Sequence, residues 1–450
     1  MKLAHRALAK LYHSDACDCP ECQSDRAHFN ALDLSGWAEV MAQIAKDRYE
    51  GKLQPGDLDE GYILKTYEEL KGGFLKGFDE SSIEVNGATN NITPESLKMR
   101  QNLFKFSGAK TYTMLEEINQ ILASNSSMSW NEFKTKVLAL NPKYNKNYLQ
   151  AEWQTAKQAG YHAANWDEYQ NNKELYPNLK YKTQGDSRVR EPHRLLNGIV
   201  APIGSDFWKV HYPPNGWRCR CYVVQTAEKP TNDADLPILT DKDLPKEFRG
   251  NVGISGEIFK ETDENKGKPH PYFALFKTAD SETEKAYEYS KLTATKEVRY
   301  TDKINGAQVK VHPFADPEDY EDNRKDAELI AKQLGLNVDI EVHLNGRVIL
   351  GRKNPEFLIN GVVADRKAPE NINTKNLLRK AQKQGCGIVV LNINNSKSSE
   401  QEILEDLQSR FRFDTNFPSI REIIIIDKDN ICKKYNREDL KEYLKKKKTE

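Results

Sequence analysis

Three sets of side chains in this 450-residue chain have the types and spacing that chemistry needs. The first is Glu356, Asp365 and Lys367, placed on either side of Asn360-Gly361. An Asn-Gly step between apolar runs is the strongest short signal for a two-residue hairpin turn. Such a turn pairs Ile359 with Val362, Leu358 with Val363, Phe357 with Ala364, and Glu356 with Asp365. Carboxylates opposed across a ladder repel unless a cation sits between them or one is protonated. Lys367 lies two residues beyond Asp365 and projects from the same face. A Mg2+ ion held by Glu356 and Asp365 would relieve the repulsion, lower the pKa of a bound water and stabilise charge on a phosphate. Lys367 would then orient the nucleophile or help neutralise the transition state. The competing reading is a set of edge-strand charges with an ordinary salt bridge, since a one-residue slip in register turns all three away.

The second set lies in Tyr181–Cys221, where Pro202, Gly204, Pro213, Pro214 and Gly216 break the chain every few residues. No helical or alternating periodicity runs through this stretch, so its backbone is expected to be mostly turns. Asp186, Arg188, Arg190, His193, Cys219 and Cys221 are the groups that could fix it. In one reading His193, Cys219 and Cys221, with Asp186 or His211, hold Zn2+ and offset the entropy of ordering an irregular segment. In the other, His193 and the cysteines are packed core residues, and the arginines bind carboxylates or backbone carbonyls. A third group, Cys17, Cys19 and Cys22, is dense enough to supply three zinc ligands, with His13 or His28 as the fourth. Its alternative is a mobile arm of exposed reduced thiols.

These groups need elements to carry them. From Gly36 to about Gln170 apolar residues recur at helical spacing, as in Trp37, Val40, Met41, Ile44 and Ala45. Ser129 before the acidic turn Trp130-Asn131-Glu132 is a candidate N-cap, and Trp153, Tyr161 and Trp166 are expected in the core. Beyond Val224 the chain becomes a polar connector, with only a weak helix at 282–292 before a boundary expected in 295–318. The remainder predicts a helix at 326–334 stopped by Gly335 and strands at 338–344, 347–350, 356–359 and 362–367. A helix at 374–384, a strand at 387–393, a helix at 399–411, a strand at 422–427 and a last helix from 437 complete it. The continuous apolar runs late in this order predict an α/β domain with a mixed sheet. In the helix after the hairpin, Lys375, Arg379 and Lys383 recur every fourth residue beside Lys380. That stripe suits a phosphate backbone; a solvated helix face explains it equally.

Totals narrow the class. At this length two or three domains are expected, and 38% hydrophobic against 30% charged residues predicts modest cores under a wide polar surface. Lys+Arg and Asp+Glu both number 67, so no global charge steers the chain to nucleic acid or membrane. Seven mostly clustered cysteines argue against a secreted disulfide framework. The first residues lack the apolar core of a signal peptide, and no run reaches a membrane span. A soluble protein made in a reducing compartment is expected.

The series D-S-R-V-R-E-P-H, L-N-G, D-F-W and P-P-N-G-W-R-C-R-C resembles the Mu F-like head morphogenesis domain of tailed phages and prophages. That resemblance covers roughly the first half of the chain and is strongest between Trp153 and Val224. It implies a minor capsid protein at the portal vertex, needed for head assembly or DNA delivery. P-E-F-L-I-N-G-V-V-A-D-R-K and the element order around it resemble the PD-(D/E)XK nuclease superfamily, closest to the tRNase-like toxin domains of contact-dependent inhibition proteins. Glu356 stands where Asp is commoner, which keeps an acidic ligand on a longer stem. The resemblance implies further site roles for Glu328 on the preceding helix and Gln382 on the following one, RNA or tRNA as substrate, and an immunity protein as partner.

The expected organisation is therefore multidomain. A Cys/His-rich arm (1–30) precedes a mainly α head-morphogenesis domain with an irregular Cys/His segment (31–278). A linker (279–317) leads to an α/β nuclease-like domain with a mixed sheet (318–450). The expected function is a virion protein, made in the host cytoplasm and carried in the capsid interior or at the portal, bearing a metal-dependent ribonuclease. The alternatives are a structural head protein with an inactive nuclease fold, or a DNA-directed nuclease acting on entry or packaging.

Overall fold

The computed structural model describes residues 34–81, 92–125, 127–237, 239–371 and 373–447. The expected arm ligands Cys17, Cys19 and Cys22 lie outside the described residues. The chain forms two units, one of residues 1–88 and 98–290, the other of 89–97 and 291–450.

The first unit is built on helices α1 (Leu34–Tyr49), α2 (Glu60–Ser81), α3 (Pro94–Ala123), α4 (Trp130–Leu138) and α5 (Leu149–Asn171). Ser129 caps α4 as expected, its side chain accepting from the Glu132 amide. Helices α2 and α5 approach so closely that a Cβ on Gly77 would lie 1.9 Å from the Lys157 carbonyl oxygen. A Cβ on Gly160 would lie 2.4 Å from that of Phe74. Only glycine permits this packing, which any side chain would force apart. Between α3 and α5 a fully buried ion pair joins Lys110 Nζ to Glu152 at 2.5 Å, and the same ammonium donates to the Tyr144 carbonyl at 2.9 Å. Trp153 and Trp166 are buried, but Tyr161 is 36% exposed on the outer face of α5.

A three-stranded antiparallel sheet follows, in the order β2 (Val200–Pro202), β1 (Asn178–Lys182), β3 (Tyr222–Thr226). The segment expected to be mostly turns carries two short helices, α6 (Glu191–Leu196) and α7 (Asp206–His211), as well as β2. Elements this short leave no periodicity to read. Short helix α8 (Val252–Ser255), then α9 (Pro271–Phe276) and α10 (Ser281–Ser290), complete the unit. In α10, Tyr287 packs on Phe104 and Phe276.

The second unit is one eight-stranded mixed sheet, ordered β11-β10-β9-β8-β7-β6-β5-β4. Its elements are β4 (Glu297–Thr301), β5 (Gln308–Val311), α11 (Tyr320–Leu334), β6 (Val338–Ile340), β7 (Phe357–Ile359) and β8 (Val362–Lys367). Then come α12 (Thr374–Lys383), β9 (Ile388–Asn392), α13 (Glu400–Phe411), β10 (Glu422–Ile426), β11 (Cys432–Asn436) and α14 (Arg437–Lys447). Strand β9 runs parallel to both β8 and β10. Its residues alternate between two cores, Ile388 and Val390 facing α11, Val389 and Leu391 facing α12 and α13. Burial on both faces is why β9 and β10 read as unbroken apolar runs.

Three expectations change. The linker placed at 279–317 is no linker, because 281–290 is a helix of the first unit and 297–311 supplies two strands of the second. Polar β4 and β11 are the sheet's edges, and an edge strand buries too little to show an apolar pattern. Residues 347–350, expected as a strand, are a turn.

Candidate functional site

The hairpin β7–β8 turns on Asn360 (φ 47°) and Gly361 (φ 80°), both left-handed as a two-residue hairpin turn of this type requires. Its register is Ile359↔Val362, Leu358↔Val363 and Phe357↔Ala364, which sets Glu356 and Asp365 at the next rung. Asp365 also lies beside Val389 of β9, so its carboxylate enters the sheet's interior and is wholly buried. Lys367 Nζ sits 2.9 Å from Asp365 Oδ1 and 2.8 Å from Oδ2. From the C-cap of α12, the Gln384 side-chain amide faces both Asp365 oxygens and, oriented with its nitrogen toward them, donates at 3.1 and 3.2 Å. Glu356 Oε2 accepts from Asn323 Nδ2 of α11 at 3.0 Å.

Burial is the largest influence on both carboxyls and raises them above their ordinary values. Asn323 and Lys367 pull Glu356 back in part, and Asp365 pushes it further up. Lys367 and the more distant Lys380 favour the Asp365 anion. Two largely desolvated carboxylates thus lie within reach of one ammonium, which is bonded to Asp365 alone. This is an oxygen-donor pair with negative charge left over, which fits a hard divalent cation. Among the described residues no third Cys, His, Asp or Glu converges with the pair.

The structure does not bring Glu328 or Gln382 to this point. Glu328 is held by Arg324 at 3.0 and 3.1 Å. Asn323, Asp326, Ala327 and Ile330 form the buried face of α11, and at about 100° per residue Glu328 falls off it. Asp326 faces the sheet, where it accepts from Arg366 (2.5 Å) and Asn392 (2.8 Å) and fixes the helix in place. Gln382 keeps a buried Oε1 without a hydrogen bond, while Gln384, two residues on, reaches Asp365. Asn323 and Gln384 were missed because the helix expected at 326–334 begins six residues earlier, at Tyr320, and because Gln384 is a cap rather than a face residue. Lys375, Arg379, Lys380 and Lys383 are all exposed on α12.

A separate cluster is buried in the first unit. The ligand atoms of His193, Cys219 and Cys221 lie within 4.8 Å of one another, the one such group of three among the described residues. His193 comes from α6, and the two cysteines from the turn and short stretch that lead into β3. Arg218, in a left-handed turn (φ 55°), reaches Gln154 at 3.1 Å, and Arg220 joins Asp186 in a two-bond pair of 2.7 and 2.9 Å. Arg190 donates to the Trp217 carbonyl at 2.6 Å. Asp186 is therefore an arginine partner, and His211 lies outside the group. The hydrogen bond with Cys221 and the neighbouring His193 hold the Cys219 thiol well below its usual range, while that bond and burial push Cys221 up.

Comparison with known proteins divides along the same line. Residues 109–224 match the family described as Phage Mu protein F like protein, and residues 353–432 match the Contact-dependent growth inhibition CdiA C-terminal domain. A protein of Escherichia phage Mu, named provisionally as capsid assembly protein F, is 39% identical over 103 residues, 22% of this chain and 24% of that one. The Mu-like prophage FluMu F protein of Haemophilus influenzae is 31% identical over 107 residues, 24% and 26% of the two chains. The matched stretch thus spans about a quarter of either relative's length. A solved CdiA-CT/CdiI toxin and immunity complex from Burkholderia pseudomallei is 24% identical, covering 26% of this chain and 85% of that one at a TM-score of 0.21.

This chain joins a Mu F-like region to a CdiA-type C-terminal domain.

The Mu F-like region contains the His193, Cys219 and Cys221 cluster with its three arginine clamps, and the CdiA-type domain contains Glu356, Asp365, Lys367 and Gln384. Among the described residues no helix is long and apolar enough to cross a membrane.

The raised carboxyls of the CdiA-type domain carry a stability consequence. A folded carboxyl that holds its proton more tightly than the unfolded chain contributes stability in full below the ordinary Asp and Glu values. That contribution is lost as pH rises through the raised folded values. Without added metal, the melting temperature of the CdiA-type domain should fall as pH climbs out of the ordinary carboxylate range, and Mg2+ should restore it. Asp365→Asn should flatten the fall. Calorimetry of both chains across that range tests this, and parallel curves would rule it out.

Proposed function

We propose that the Mu F-like region serves capsid or head assembly and that the CdiA-type domain is a metal-dependent ribonuclease carried with it, in the manner of a toxin. The observation behind the nuclease reading is the buried Asp365 bonded to Lys367 on β8, with Glu356 immediately before β7 within electrostatic reach of both. Glu356 and Asp365 would hold Mg2+, which when bound supplies charge to offset a phosphate and a more acidic water. Lys367, fixed by Asp365, orients the attacking water and neutralises charge that grows on the phosphate oxygens. Gln384 and Asn323 keep the two carboxylates aimed, so little reorganisation remains at the moment of reaction. The exposed cations of α12 give an RNA backbone a surface to follow.

RNA is favoured over DNA as substrate, and tRNA within it, by the likeness to contact-dependent inhibition toxins. The solved complex pairs a toxin with an immunity protein, and we extend that pairing here: a cell making this chain would need a protein to block the site. For the Mu F-like region the proposed partners are portal or capsid proteins, and the proposed location is the virion, at the portal or inside the head.

Full-length protein with Mg2+, given tRNA, other RNA and duplex DNA in parallel, tests the reading. Cleavage of RNA that stops on chelation is expected. Cleavage of duplex DNA alone would transfer the activity to entry or packaging, and no cleavage of any substrate would leave a structural head protein.

The basic face predicts a salt effect. Reversing Lys375, Arg379 and Lys383 to Glu should weaken RNA binding and flatten its salt dependence, by about 0.7–0.9 in log–log slope for each phosphate no longer neutralised. Filter binding across a salt series checks this, and an unchanged slope would show the face to be merely solvated.

A further inference from the structure

We propose that His193, Cys219 and Cys221 hold a zinc ion that cross-links the irregular segment of the Mu F-like region. His193 Nδ1 lies 3.4 Å from Cys221 Sγ and 3.7 Å from Cys219 Sγ, so both sulfurs face the same ring nitrogen. One nitrogen lone pair accepts one S–H, and the second thiol is then left without that partner. A zinc ion satisfies all three at once, because thiolate and imidazole are its preferred ligands. All three side chains are at least 96% buried, which excludes bulk water and competing hard ligands from the point where they meet.

The surroundings are built to hold the trio together. Arg190 ties the chain at Trp217, Arg218 ties it to Gln154 on α5, and Arg220 ties it to Asp186 on the opposite side of the loop. Arg218 and Arg220 reach away to these partners, while the thiols of Cys219 and Cys221 meet at His193. The Tyr181 hydroxyl, which donates to Asn215 Oδ1 at 2.8 Å, closes the pocket from β1. Asp186 is consumed by Arg220, so the protein's donor set is one nitrogen and two sulfurs. Between His193 and Cys219 the chain has only β2 and α7, too little ladder to fix so long a loop. An ion bound by the folded chain alone would offset the entropy lost in ordering that loop.

Full-length protein purified from zinc-supplemented medium should contain zinc by elemental analysis. Cys219→Ser/Cys221→Ser should lose one equivalent relative to the parent chain, and Cys17→Ser/Cys19→Ser/Cys22→Ser should keep that equivalent. Cobalt reconstitution of the latter variant should show thiolate-to-cobalt charge-transfer absorption, a readout that does not depend on how well the first variant folds. Equal zinc in the parent chain and Cys219→Ser/Cys221→Ser overturns the proposal. So does an arm variant that binds no zinc and gives no charge-transfer band.

Discussion

Asp365→Asn in the full-length chain is expected to lower Mg2+-dependent RNA hydrolysis by about 10³-fold, since it removes charge from a water-excluded point where electrostatic stabilisation is strongest. The substitution keeps the side chain's shape in a position that is wholly buried, so packing changes little. Charge changes a great deal. Lys367 loses the anion that fixes it at 2.8–2.9 Å, and Gln384 loses an acceptor on one side of the group. Lys367→Met should produce a comparable loss by the second route, sparing the carboxylates while removing the ammonium. The two defects should combine to much less than their product, because both residues act through one contact. Rates measured on tRNA with equal folded protein decide the matter. Activity surviving in both single variants would remove the site from this place in the sheet.

Glu152→Leu is expected to destabilise the Mu F-like unit by about 3–5 kcal/mol, the usual cost of stranding one member of a buried ion pair. Lys110 and Glu152 have no solvent exposure, and no water can reach the ammonium once its carboxylate is gone. Burial already lowers the Lys110 pKa against the opposing pull of Glu152. Lys110→Met/Glu152→Leu should recover much of the loss, because two apolar side chains cost no desolvation. Recovery should stop short of complete, since the Tyr144 carbonyl would lose its donor. All six tryptophans lie between Trp37 and Trp217, so fluorescence during urea unfolding reports this unit alone. A single variant within about 1 kcal/mol of the parent, a surface-pair value, would contradict the buried-pair account.

Legibility in the sequence followed the range over which each signal acts. The Asn360-Gly361 turn is local, and its register could be written down before any fold was known, because two residues with positive φ leave few ways for the strands to meet. The Ser129 cap and the Gly335 stop were legible for the same reason. Helices α1 to α5 and the apolar strands β9 and β10 showed through burial pattern. Strands β4, β5 and β11 did not, since they are short or polar and become strands only by pairing with neighbours already in place. Short helices α6 and α7 were hidden among prolines and glycines for want of length.

The sequence by itself determined which residues could do chemistry: the opposed acids, the lysine two places on, and the histidine with its thiol pair. It also determined the change in character between the two units, because composition and periodicity are properties of the chain. Only the tertiary structure decided which companions those residues have. It set Asn323 against Glu356, turned Gln384 rather than Gln382 onto Asp365, gave Glu328 to Arg324, and spent Asp186 on Arg220. Such pairings join residues far apart in sequence or at the ends of helices, where a shift of one residue turns a side chain by about 100°. A linear pattern carries no record of which face meets which, so partnership waits on packing.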